Sequence, residues 1–141
     1  MATNNMPQLL IISQGSAFMA NSLENNIKKE GICVTRCEPT VREVDANIDG
    51  KDMVLLFAGK YIENSSGLLS YITSKCSDEC NHFCVVGYPN ELVEIERQVD
   101  VSRISAEFSR PFDMKDLTGA LTELAAADEE RRKGRHILLA E

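Results

Sequence analysis

Tryptophan is absent, aromatic residues make up only 6% of the 141 residues, and there are two histidines. Basic residues are also short, 15 against 22 acidic ones, and the formal charge of −7 repels phosphate backbones and anionic lipid. Direct nucleic-acid or membrane contact is therefore not expected. No apolar run approaches the ~20 residues needed to span a bilayer, and Met1–Gln8 lacks the basic region of a secretion signal. Cysteine is present in an odd number, five, scattered through apolar and mixed segments. That pattern argues against a secreted disulfide scaffold and for a reducing cytoplasm. The Gly-x-Gly-x-x-Gly phosphate signature is missing; Gly15 and Gly59 stand singly, as turn glycines do.

What the chain does have is alternation. Short apolar runs suited to buried strands occur at Leu9–Ile12, Ile32–Val34, Met53–Phe57 and Phe83–Val86, with a weaker one at Ile104–Phe108. Between them lie segments with helical spacing: Met19, Leu23 and Ile27; Val41, Val44 and Ile48; Leu68, Leu69, Ile72 and Cys76; Leu92, Ile95 and Val99. A last helix carries Leu117, Ala120, Leu121, Leu124 and Ala125 behind an N-cap at Asp113. Gly31 suits the end of the first helix, Thr40 and Glu43 have capping-box spacing, and Asn90 after Pro89 is placed to cap the fourth helix. Five strand-helix units in strict alternation predict a doubly wound five-stranded parallel sheet of flavodoxin-like order 2-1-3-4-5, flanked by five helices. Any functional crevice should then open at the carboxyl ends of the strands.

The alternation, together with Ser109-Arg110-Pro111-Phe112-Asp113-Met114-Lys115-Asp116-Leu117, resembles a response-regulator receiver domain, whose fifth strand ends in a Lys-Pro-Phe-like turn. The likeness covers residues 8–127. A charged helical linker is expected over 128–135, and 136–141 is similar to the first strand of a following receiver, as in hybrid histidine kinases and multi-receiver regulators. The resemblance implies two acids after strand 1 and an aspartate after strand 3 holding Mg²⁺, with a Ser or Thr after strand 4 and a Lys after strand 5 contacting the phosphoryl group. Those positions fall here on Ser13 and Gln14, Phe57, Gly87 and Arg110.

Only Arg110 keeps the charge its position requires, so neither a Mg²⁺ cofactor nor phosphoryl transfer is expected. No acid lies within two residues of Phe57, and Asp52 is at the far end of the strand, about 16 Å away at roughly 3.3 Å per residue. The implied role is that of a non-phosphorylatable interaction module without enzymatic activity. Its partner would be a histidine kinase, an adjacent receiver or a second copy, met through helix 4, strand 5 and helix 5. Glu94, Arg97, Arg103, Glu107 and Asp116 are the candidate surface residues. Two alternatives stand beside this: a small-ligand sensor using the neutral crevice around Ser13, Phe57, Tyr88 and Arg110, and an active phosphoacceptor. Cys76, Cys80, His82 and Cys84, with Cys33 and Cys37, match no common zinc spacing and read as core or loop residues. A Cys80–His82 nucleophile lacks an orienting carboxylate other than Asp78 or Glu79.

Overall fold

In the computed structural model, residues 7–14, 18–64, 66–79, 82–110 and 113–126 are described. Five parallel strands form one sheet in the order β2-β1-β3-β4-β5. They are β1 (Gln8–Ile12), β2 (Cys33–Cys37), β3 (Met53–Phe57), β4 (His82–Gly87) and β5 (Ala106–Ser109). Helices α1 (Phe18–Lys28), α2 (Val41–Asn47), α3 (Ser66–Glu79) and α4 (Pro89–Gln98) connect them, and α5 covers 114–126. The expected flavodoxin-like architecture is thus the one observed. The expected linker and following strand, 128–141, lie outside the described residues.

Every residue of β3 is buried, as a central strand covered on both faces must be. Alternate residues divide the core. Leu10, Ile12, Val54, Leu56, Phe83 and Val85 face α2, α3 and α4, where they meet Val44, Leu69, Ile72 and Ile95. Leu9, Ile11, Leu55, Phe57, Cys84 and Val86 face the other way, onto Leu23 and Ile27 of α1 and Leu117 and Leu121 of α5. Fully burying one such side chain contributes about 1.5–3 kcal/mol, so these two clusters dominate the stability.

The edges of the sheet shift from the sequence expectation. β2 runs Cys33–Cys37, with Ile32 buried just ahead of it, and β5 begins at Ala106 instead of Ile104. Edge strands carry polar residues among apolar ones, so the half-buried Thr35 and Arg36 belong to β2 although they break its apolar run. Val41, expected to point inward, is 43% exposed because it is the first residue of α2, outside the first buried turn.

Helix ends follow their side chains. Thr40 Oγ1 accepts from the Glu43 N–H at 3.1 Å, Asp113 Oδ1 accepts from the Lys115 N–H at 2.8 Å, and Gly31 closes α1 with φ of 82°. Asn90 does not cap α4. Pro89 is the first helical residue, so the cap falls on Tyr88, whose N–H donates to Glu91 Oε1 at 2.9 Å.

Candidate functional site at the carboxyl edge of the sheet

β1, β3 and β4 end side by side, so that Ser13 and Gln14, just after β1, and Phe57 and Gly87, the last residues of β3 and β4, share one rim. Arg110 is tied to that rim, its N–H donating to the Gly87 carbonyl at 2.9 Å. Ser13 is buried, 3% exposed, and its N–H donates to the Cys37 carbonyl at 3.1 Å. Gln14 is exposed, and its side-chain oxygen lies near Gly59.

Phe57 is 6% exposed and belongs to the α1–α5 side of the core, near Val86, Phe108, Met114 and Leu117. The ring therefore occupies core. Its carbonyl accepts from the Tyr61 hydroxyl at 2.6 Å. Burial pushes the Tyr61 phenol well above its ordinary pKa, with the Glu91 carboxylate adding to the shift. Tyr61 thus stays a neutral donor.

Gly87 is required by close approach. A Cβ there would stand 2.8 Å from the Ala58 Cβ and 3.0 Å from Glu91 Oε1. A Ser or Thr has no space at that position unless α4 moves away from the β3–α3 connection. A second tie holds α4 in place, since Gln98 Nε2 donates to the Ile62 carbonyl at 2.9 Å. Arg110 places its guanidinium 5.2 Å from the centre of the half-exposed Tyr88 ring, a cation–π arrangement across the mouth.

Three carboxylates near this edge were not among the sequence's candidate site residues, although Glu43 was placed in a capping box. Glu91 is one, engaged with the Tyr88 N–H. Glu38 and Glu43 line a cleft of about 340 Å³ with Ser13, Arg36 and Cys37, beside the end of β2. The Tyr88-x-x-Glu91 spacing was the available signal for the first. Among the described residues no three His, Cys, Asp or Glu side chains converge on one point. Mg²⁺ prefers hard anionic oxygens in octahedral array. A buried serine, a glutamine and a phenylalanine do not fit that demand. Asp52 sits at the opposite end of β3, where its Oδ2 accepts from the Gln8 N–H at 2.8 Å.

The four described cysteines are distributed rather than gathered. Cys76 packs on the α2–α4 side and Cys84 on the α1–α5 side, and Cys33 and Cys37 are the two ends of β2. Burial pushes the Cys76 and Cys84 thiols up to about 12, with Cys76 contributing to the shift at Cys84. Cys37 rises to about 11, first from burial and then from Glu43 and Glu38. Such thiols are poor nucleophiles and poor metal ligands. His82 lies 3.3 Å from Ser105 Oγ; Cys80 lies outside the described residues.

Of the five candidate surface residues, Glu94 and Arg97 come together on α4, 3.6 Å apart, and Glu94 also accepts from Gln98 Nε2 at 3.0 Å. Arg103 is exposed in the short 3₁₀ turn Val101–Arg103. Glu107 is exposed on β5 and paired with Glu96 of α4. Partial burial, then the Glu96 hydrogen bond and charge, raise its pKa. Asp116 is exposed on α5. Half-exposed Tyr88, Val93 and Val101 add apolar surface on and beside α4.

No family model matches the chain, and no curated protein does. Solved structures do. The signal receiver domain of an HD domain-containing protein from Pseudomonas fluorescens Pf-5 superposes with a TM-score of 0.71 at 14% identity, covering 94% of this chain and 96% of that one. A response regulator receiver domain protein (CheY-like) from Methanospirillum hungatei JF-1 gives 0.65 at 17% identity, over 89% and 98%. A streptococcal redox sensor evolved from two-component response regulators gives 0.72 at 13% identity, over 91% of this chain and 55% of that one. The chain has the receiver fold. Among the described residues no helix is long and apolar enough to cross a membrane.

Proposed function

We propose that this receiver-fold domain is a non-phosphorylatable module of a two-component signalling protein, without enzymatic activity, that works in the cytoplasm by binding another protein. The observation that carries the reading is Phe57. At the position where the receiver resemblance calls for an acceptor aspartate, an aromatic ring is 6% exposed and integrated into the core. Phenylalanine offers no oxygen to a phosphoryl group, and Ser13 and Gln14 supply no negative charge for Mg²⁺.

The same geometry favours binding over switching. Gln98 ties the C-terminal end of α4 to the Ile62 carbonyl after β3, and Gly87 lets β4 pass close to Ala58 and Glu91, which supports a fixed presentation of the α4–β5–α5 face. It carries both signs of charge, on Arg97 and Arg103 and on Glu94, Glu107 and Asp116, around Tyr88 and Val93. A face of that composition suits a histidine kinase, a neighbouring receiver or a second copy. The ligand-sensing alternative loses support at the crevice itself, because Phe57 is buried in the core and the cleft that Ser13 lines is shared with Glu38 and Glu43 beside the end of β2, not with Phe57, Tyr88 and Arg110.

The test is incubation of the full chain with Mg²⁺ and acetyl phosphate, followed by intact-mass measurement and acid-lability analysis. The expected result is an unmodified protein. A stoichiometric acid-labile phosphoryl adduct would overturn the proposal.

A further inference from the structure

Away from the sheet edge, the outer surfaces of α1 and α5 enclose a groove of about 530 Å³, within the range of small-molecule sites. We propose that this groove binds a small organic anion, an apolar ring or chain bearing one carboxylate, sulfonate or phosphate.

Charge is the first support. Lys29 from the turn that follows α1 and Lys115 from α5 stand on its two walls against one acid, Glu30, so the groove is locally positive on a chain of net charge −7. The net charge of the whole chain works against an anion, so a local pair of lysines marks the groove out. The second support is a polar group awaiting a partner: Thr118 Oγ1 is buried in the wall and makes no hydrogen bond among the described residues. Buried hydroxyls are ordinarily paired, and a ligand oxygen would satisfy this one. Shape is the third. Gly119 leaves the groove open, since a Cβ there would meet nothing within 4 Å, and Met114 offers apolar surface continuous with the α1–α5 core. This site is independent of the reading of Phe57.

Anilinonaphthalene sulfonate is a suitable probe, titrated into the full chain and followed by fluorescence and amide NMR shifts. Saturable one-site binding is expected, with shifts confined to the facing parts of α1 and α5. Gly119→Phe, which fills the groove from an unobstructed position, should weaken binding at least about tenfold. Lys115→Gln, an exposed change that leaves folding intact, should weaken it several-fold. The same ring system without its sulfonate should bind far less. Shifts elsewhere, unchanged affinity in Lys115→Gln, or equal binding of the unsulfonated ring would each overturn the proposal.

Discussion

Replacing Phe57 by aspartate restores the side chain that the receiver resemblance calls for, and it should nearly unfold the domain. Phe57 is 6% exposed, and truncating a buried phenylalanine costs about 3–5 kcal/mol through lost transfer energy and the cavity left behind. An ionised carboxylate among Val86, Phe108 and Leu117 adds about 1.4 kcal/mol for each unit by which burial raises its pKa. A shift of roughly two units brings the total to about 6–8 kcal/mol, against a net stability of about 5–15 kcal/mol for domains in general.

Phe57→Asn supplies the same shape without charge. Because burial raises the folded-state pKa of the new aspartate, its penalty is absent below about pH 4, grows as pH rises from there and levels off above the folded-state value. Urea unfolding followed by circular dichroism should therefore show Phe57→Asp and Phe57→Asn equal in acid and diverging toward neutrality, with Phe57→Leu within about 1.5 kcal/mol of the wild type. A Phe57→Asp protein within about 1 kcal/mol of wild type at neutral pH would refute the reasoning, because it would show that the side chain reaches solvent at the rim.

Gly87→Thr should destabilise by about 1–3 kcal/mol through overpacking against Ala58 and Glu91, read as a lower urea midpoint and faster amide exchange in the first turn of α4; an unchanged midpoint would mean α4 is free to shift. The buried thiols impose a pH dependence. Their folded-state pKa values, about 12 for Cys76 and Cys84, lie above that of an unfolded thiol, so the unfolded chain loses protons first and stability should fall from about pH 9 upward. Cys76→Ala/Cys84→Ala should flatten that fall. In the native protein both thiols should also resist iodoacetamide near neutral pH, and labelling as fast as a free thiol would contradict their burial.

The fold was legible because its central strands are continuous apolar runs separated by helices with clear spacing, and burial on both faces leaves β1, β3 and β4 no alternative. The ends of β2 and β5 were less so. An edge strand mixes core-facing residues with exposed ones, as Ala106 and Phe108 alternate with Glu107 and Ser109, and that dilutes the hydrophobic signal. At the site, Phe57, Ser13 and Gln14 could be placed by counting along their strands. Glu91 could not, because its carboxylate reaches the rim only through the cap that falls on Tyr88 instead of Asn90. The α1–α5 groove had no sequence signature at all: its walls are 84 or more positions apart in the chain, counting from Glu30 to Met114, and only packing brings them face to face.

The most direct measurement of whether the rim can grip a divalent cation is a titration of the full chain with Mg²⁺, and then Mn²⁺ as its paramagnetic substitute, monitored through the amide NMR signals of Ser13, Gln14, Ala58 and Gly87. The account predicts that those signals neither shift saturably with Mg²⁺ nor broaden selectively with Mn²⁺. Saturable shifts matched by broadening confined to that rim would contradict it.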